Sequence, residues 1–301
     1  MKKIIKALLH PRIVFLYILE TSGSRLLPDK IYLKLKYFLK LNKKLNLDYP
    51  VTFNEKLQWL KLYNRKPEYS VMVDKYRMRS YVADRIGLGH TVPLIGVWED
   101  PAEIDFDKLP NKFVLKCNHN SGLGMCICKD KSNLDVKKVK SELKKGLRQN
   151  YYLTGREWPY KDVPRKVFAE EYLEESQSDV LTDYKFFCFN GVPKIMYISQ
   201  DNAKEPHTDF FDMDFNHLNI RMKDPNSEIS PNKPKQFEKM KQLATILAKD
   251  VAHLRVDFYV VNDNIYVGEL TFFHNSGFSN ITPEQWENTL GEWIKLPEKS
   301  C

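Results

Sequence analysis

The sequence predicts an α+β protein: a helical N-terminal stretch followed by strands, some of them in hairpins. Three observations carry that reading. Through residues 1 to 48 apolar side chains recur at helical spacing, as in Tyr32, Leu33, Leu35, Phe38, Leu39 and Leu41. Asp183 to Asn190 and Pro193 to Ser199 are apolar runs joined at Asn190-Gly191, a dipeptide that accepts the left-handed conformations of a tight hairpin turn. Leu254 to Thr271 holds two further β-type runs joined by Asn262-Asp263-Asn264. At 301 residues, 43% hydrophobic and 13% aromatic, the chain can bury a sizeable core, as two domains or one large unit.

The elements follow in order. The first helical stretch ends at the Asp48-Tyr49-Pro50 break. Thr52-Phe53-Asn54-Glu55 has the form of a capping box and starts a helix carrying Leu57, Trp59, Leu60 and Leu62. A further helix is expected from Val73 to Ile86, stopped by Gly87. Phe113 to Asn118, Ser121-Gly-Leu-Gly124 and Met125 to Lys129 read as strand, glycine turn and strand. Asp135 to Gln149 is a charged surface helix, and 150 to 165 an aromatic, proline-containing loop. A strand follows at Lys166 to Leu173, then the two hairpins, separated by a polar, proline-rich stretch at 200 to 235 that reads as a long loop. Gln236 to Lys249 is a helix, and Thr282-Pro283 is expected to open the last one, with Pro at its first position.

The bulk chemistry narrows the function. Lys plus Arg exceed Asp plus Glu by 47 to 39, and the excess is concentrated early, at Lys2, Lys3, Lys6, Arg12, Arg25, Lys30 and Lys34, which points to an anionic partner. No nucleic-acid-binding motif accompanies it, so a nucleic-acid role is not expected. Five cysteines without paired spacing read as free thiols in a reducing, cytoplasmic setting. The apolar start is interrupted by Lys6, His10, Pro11 and Arg12, and Ile13 to Leu19 is far short of a membrane span. Two readings of it stand: a segment lying on an anionic membrane surface, or a helix docked on the protein's own body with its lysines solvated.

The last hairpin is where chemistry is expected. Arg255 and Asp257 share a parity on one strand, as do Glu269 and Thr271 on the next, so four polar side chains face one way on a surface that should be buried. Two carboxylates side by side repel and are costly to desolvate, and a divalent cation is the usual compensator. A structural arginine–carboxylate network is the plainer alternative. Asn275, Ser276 and Gly277 follow with further donors and ligands. Lys116 precedes a loop in which Ser121, Gly122 and Gly124 allow backbone N–H groups to approach a polyphosphate closely. On its own this is equally a strand-end lysine and a tight turn. Glu170, Glu171, Tyr172 and Leu173 end an apolar strand, and Lys185 sits in a very aromatic one, where a lysine often lies at an edge with its head in water.

Taken in order, Arg255-Val-Asp257, Glu269-Leu-Thr271 and Asn275-Ser-Gly277 resemble the end of an ATP-grasp domain, and Asp74-Lys75, Lys116 with its glycine loop, Glu170 to Leu173 and Lys185 occur in ATP-grasp order. Phe53 to Trp59, Asp74 to Tyr76, Val114 to His119, Asp183 to Gly191 and Gly268 to Phe272 are similar to the TupA-like ATP-grasp family. The resemblance implies two mixed or antiparallel sheet subdomains clamping ATP: a basic helical segment at 1–48, a pre-grasp region at 49–112, a small subdomain at 113–173 and a large one at 174–301. It implies that Lys75, Lys116, Lys185, Ser121, Gly122 and Gly124 contact phosphates and that Glu170, Glu171, Tyr172 and Leu173 bind adenine and ribose. It assigns Mg²⁺ to Asp257 and Glu269 with Thr271 and Asn275 completing the site, and places Arg255 and Lys185 as catalytic. Thr271 departs from the asparagine of the ligase pattern.

The reaction the resemblance implies is ATP-dependent carboxylate–amine ligation in capsule or surface-polysaccharide synthesis, on a small-molecule or lipid-linked glycan carboxylate and an amine. A glycosyltransferase is the first alternative, for which Asp212-Met-Asp214 offers an Asp-x-Asp motif. A kinase-like phosphotransferase is the second.

Overall fold

The computed structural model describes residues 11–174, 181–200 and 206–299, so Lys2, Lys3, Lys6 and Cys301 lie outside the described residues. The expected α+β architecture is present, with every strand pairing antiparallel. Helices α1 (Pro11–Ile18), α2 (Asp29–Leu41), α3 (Phe53–Tyr63), α4 (Glu68–Val73) and α5 (Met78–Ile86) come first. The capping box at α3 forms as read: the Thr52 side chain accepts from the Glu55 N–H, and the Glu55 carboxylate accepts from the Thr52 N–H.

A four-stranded sheet has the order β1-β4-β2-β3, from β1 (Leu94–Trp98), β2 (Phe113–Cys117), β3 (Met125–Cys128) and β4 (Val167–Glu171). It packs on α6 (Val136–Arg148) around Leu115, Cys117, Leu143 and Ala169. Because β1 pairs with β4, this sheet begins at Leu94, ahead of the boundary expected at 113. A six-stranded sheet has the order β10-β9-β5-β6-β7-β8. Its strands are β5 (Asp183–Phe189), β6 (Val192–Gln200), β7 (His207–Asp212), β8 (His217–Leu218), β9 (His253–Val261) and β10 (Asn264–Thr271). Helices α2 to α5 share one continuous core with this large sheet. Among the described residues no helix is long and apolar enough to cross a membrane.

The strand period of two separates core from site on the large sheet. Phe186, Val256 and Phe258 face α7 (Phe237–Leu247), with Phe186 and Phe237 ring centroids 5.8 Å apart. Lys185, Phe187, Arg255 and Asp257 occupy the opposite face.

Three expectations are corrected. The helix read from Val73 to Ile86 starts only at Met78, and Val73 ends α4, because Asp74 leaves helical geometry and its carboxylate accepts from the Tyr76 and Arg77 N–H groups at 3.0 and 3.1 Å. The stretch 200–235 is not all loop: His207–Asp212 and His217–Leu218 extend the large sheet, since the adjacent Phe210 and Phe211 are both buried there despite the polar company. The last helix, α8 (Gln285–Trp293), starts later than Pro283, because Thr282 exchanges backbone hydrogen bonds with Arg221 and stays extended.

Candidate active site

The catalytic candidates converge because three strands of the large sheet place them in one row. Lys185 on β5 pairs in register with Asp257 on β9, and Asp257 with Glu269 on β10. The second pairing depends on a bulge: Val267 lies opposite Phe258, yet Glu269 lies opposite Asp257, with Gly268 the extra residue. A Cβ on Gly268 would come within 2.5 Å of the Tyr259 ring, so the bulge is built where only glycine fits.

The small sheet supplies the facing wall. Lys116 near the end of β2 and the turn Asn120 to Gly124 look across at Lys185, Asp257, Tyr259 and Glu269, enclosing a cleft of about 170 Å³. Gly122 and Gly124 both have positive φ, at 78° and 71°. Gly124 runs so close to α6 that a Cβ would lie 2.6 Å from Cys117 Sγ and 2.9 Å from Gly146 Cα, whereas Gly122 at the tip meets nothing within 4 Å. Lys75 joins the two walls: its N–H donates to the Asn118 carbonyl at 3.0 Å, and its ammonium donates to the Asn120 carbonyl at 2.7 Å and to Glu269 Oε1 at 2.8 Å.

Charge in the cleft is balanced pair by pair. Asp257, 3% exposed, accepts from Arg255 Nε and Nη2 at 2.6 and 2.7 Å and from Lys185 at 2.9 Å. Lys185 also lies 3.1 Å from Asp183, and Lys116 pairs with Glu170. Burial alone would raise Asp257, but Arg255 and Lys185 hold its carboxyl below the usual range. Burial likewise opposes the charge on Lys185, and Asp257 outweighs it, pushing the ammonium above its ordinary value. Glu269 is held low by Lys75 and Arg255 against the same desolvation and the repulsion of Asp257.

Not every candidate faces the cleft. Arg255 sits behind Asp257 with its guanidinium shared among Asp257, Thr271 Oγ1 at 3.1 Å and His274 Nδ1 at 2.8 Å. That is the geometry of a positioning residue. Thr271 is thereby occupied as an acceptor, and the Asn275 amide lies 3.1 Å from His274 Nε2, outside the cleft lining. Ser276 serves as structure, its hydroxyl donating to Glu157 and its carbonyl accepting from Gln58 and the buried Lys61 at 3.0 and 2.8 Å. Glu170 borders a narrow extension of the cleft with Met78, Arg79, Phe168 and Tyr259. Glu171 is exposed, and Tyr172 and Leu173 are half-buried beyond that lining, Tyr172 beneath the Lys129 ammonium. Asp212 accepts from the Asp214 and Asn216 N–H groups at 2.9 and 2.8 Å, so its carboxylate closes the β7–β8 turn.

Sequence reasoning missed Asp183, Tyr259, Asn120 and His274. Asp183 and Tyr259 were readable by parity, with Lys185 on β5 and with Asp257 on β9. His274 carried no local signal. It is buried and held neutral, its pKa well below the usual imidazole value through burial and the adjacent Arg255.

The chain matches the family described as TupA-like ATPgrasp over residues 55–295. No curated protein matches it in sequence. Among solved structures it is similar to D-alanine–D-alanine ligase from Helicobacter pylori, with TM-score 0.50 and 15% identity over 81% of this chain and 69% of that one. It is also similar to the Bacillus anthracis D-alanine–D-alanine ligase, with TM-score 0.43 and 19% identity over 74% and 66% of the two chains. For that ligase complexed with ATP the values are 0.40 and 15%, over 67% and 54%. The chain thus spans between about half and two thirds of those ligases' length. The family match covers most of the chain, and the two antiparallel sheets with their intervening cleft agree with it: the chain belongs to the TupA-like ATP-grasp family and is an enzyme with the fold of the ATP-grasp ligases.

Proposed function

We propose that this protein is an ATP-dependent carboxylate–amine ligase acting on a glycan or small-molecule carboxylate in surface-polysaccharide assembly. One observation carries the reading: the Lys185–Asp257–Glu269 row on the large sheet faces Lys116 and the glycine loop on the small one, with Lys75 between them. In the reaction a substrate carboxylate oxygen takes the γ-phosphoryl group of ATP and ADP departs. The amine nitrogen then attacks the acyl carbon, phosphate leaves, and an amide remains.

The residues present suit a polyphosphate with a divalent cation. Four cations, Lys75, Lys116, Lys185 and Arg255, are matched by Glu269, Glu170, Asp183 and Asp257, so the cleft is close to neutral and cannot by itself offset a triphosphate. Asp257 and Glu269 supply hard oxygen donors for Mg²⁺, and a site with only two protein carboxylates suits an ion that keeps water and phosphate ligands. When bound, the ion supplies neutralisation of charge on the transferring phosphoryl group. Lys75, Lys116 and Lys185 exchange their carboxylate partners for phosphate oxygens, and the Asn120 to Gly124 backbone covers them. Arg255 holds Asp257 in place. His274, kept neutral, accepts an Arg255 N–H and fixes the guanidinium plane.

The test is incubation of the full chain with ATP, Mg²⁺ and pairs of uronates and amino acids, reading ADP release and product mass. An amide together with ADP and free phosphate supports the reading. Sugar transfer from a nucleotide sugar without ADP release, or a stable phosphate ester without free phosphate, sinks it.

A further inference from the structure

Helix α1, Pro-Arg-Ile-Val-Phe-Leu-Tyr-Ile, buries none of its side chains. Ile13, Phe15 and Tyr17 are each more than 60% exposed; Ile13 and Tyr17, four residues apart, share one face of the helix and Phe15 points to the other side. What ties α1 to the body is Arg12, which donates to the Leu39 and Phe38 carbonyls at 2.6 and 2.9 Å near the end of α2. Of the two sequence readings of this segment, the helix docked by an apolar face is therefore not what the structure shows. The neighbouring α2 buries Tyr32, Leu33 and Tyr37 inward but exposes Ile31, Leu35 and Phe38, spaced i, i+4, i+7 on one outer stripe. Leu26, between the two helices in sequence, is 81% exposed. The two helices and their linker thus expose eight large apolar side chains, Ile13, Phe15, Tyr17, Ile18, Leu26, Ile31, Leu35 and Phe38, within 26 residues of sequence.

The surface is also positively charged. Arg25, Lys30, Lys34 and Lys40 are exposed around it. The acids of the same stretch are engaged elsewhere: Glu20 pairs with Lys36 at 2.8 Å, and Asp29 with Arg65 and Arg156 at 3.2 Å each. Arg25 further lines, with Arg148, an open groove of about 750 Å³ beside Glu20 and Thr154. In sequence, the ten residues before Pro11 add Lys2, Lys3 and Lys6 with Ile4, Ile5, Leu8 and Leu9, and no acid.

We infer that this surface docks the enzyme peripherally on an anionic lipid bilayer, α1 lying in the headgroup boundary and the surrounding lysines and arginines on lipid phosphates. The combination of an apolar helix and basic residues without free acids is what such a boundary attracts. A second copy of this chain fits less well, because a two-fold contact through this surface would bring the same basic patch of both copies into one interface. A single rigid protein face fits less well too, because α1 is bare on several sides. This inference stands independently of the ligase reading.

The experiment is flotation of the full chain with vesicles of phosphatidylcholine alone or with about one third phosphatidylglycerol, at low and high salt. Binding to the anionic vesicles only, weakened at least tenfold by salt, is expected. The triple variant Ile13→Ser, Tyr17→Ser, Ile18→Ser should reduce that binding at least tenfold while keeping the wild-type melting profile, because these side chains are exposed. Arg25→Glu with Lys30→Glu and Lys34→Glu should abolish the preference for anionic lipid. Absence of binding to anionic vesicles overturns the inference, as does binding that the triple serine variant leaves unchanged. Concentration-dependent dimerisation that the same variant abolishes, without vesicle binding, overturns it in favour of a second copy.

Discussion

Replacing Asp257 with asparagine tests the centre of the site. Asp257 is 3% exposed and accepts three charge-assisted hydrogen bonds, at 2.6 and 2.7 Å from Arg255 and 2.9 Å from Lys185. An asparagine of the same shape keeps one acceptor oxygen and turns an NH₂ toward a guanidinium or an ammonium. It leaves Arg255 and Lys185 sharing Asp183 and Glu269, at 3.1 Å from Lys185 and 3.6 Å from Arg255. Removing one partner of a buried ion pair costs about 3–5 kcal/mol, a large part of the roughly 5–15 kcal/mol that holds a domain folded. Urea unfolding should read that loss. A purely structural network would stop there. If Asp257 belongs to a nucleotide site, the variant also loses the ligand-linked part: saturating Mg²⁺ and ATP at about a hundred times Kd should stabilise the wild type by about 2.7 kcal/mol and the variant by far less. Unfolding curves with and without nucleotide, beside ADP release, separate the two contributions. An Asp257→Asn protein with the wild-type midpoint, an undiminished nucleotide shift and full ADP release would refute the reasoning.

Other outcomes follow from the same geometry. Asp212→Asn removes only a turn-closing acceptor at the surface, so it should cost less than about 1 kcal/mol and leave ADP release intact; a dead enzyme would point back to the Asp-x-Asp motif. Gly124→Ala should destabilise by about 1–3 kcal/mol, through positive φ and the contact with Gly146, and more than Gly122→Ala, which meets open space; equal midpoints in thermal melts would contradict the close packing of loop and α6. His253 is buried, its Nδ1 3.1 Å from the Cys188 carbonyl, and burial pushes its pKa down to about 3. The unfolded imidazole titrates near ~6.5, so between these values the unfolded chain holds the extra proton and stability falls as pH drops from about 6.5 toward 3. By pH ~4.5 His253 should account for about 2–3 kcal/mol of loss, and His253→Phe should flatten the acid limb of a urea-midpoint series; an unchanged slope would place the acid sensitivity elsewhere.

Much of this protein was legible from local chemistry. Thr52 to Glu55 capped its helix, Asn190-Gly191 and Asn262-Asp263-Asn264 closed their hairpins, and Gly122 and Gly124 marked a left-handed turn, because each signal acts within about four residues of itself. Strand parity likewise put Arg255 with Asp257, and the order of motifs announced the family. The errors lay where a distant partner overruled local preference: Asp74 breaks a helical run while its carboxylate accepts from Asn118 across the chain, and His207–Asp212 folds as a strand because β6 offers an edge. The site itself was decided by register. That Lys185 faces Asp257 follows from β5 inserting between β6 and β9, some 70 residues away in sequence. That Glu269 faces Asp257 follows from a one-residue bulge at Gly268 under the Tyr259 ring. A period of two fixes which side chains share a strand face, but only packing between strands fixes which of them meet, and Arg255 shows the difference: its sequence offered a catalytic cation, and its contacts with Thr271 and His274 hold it behind Asp257.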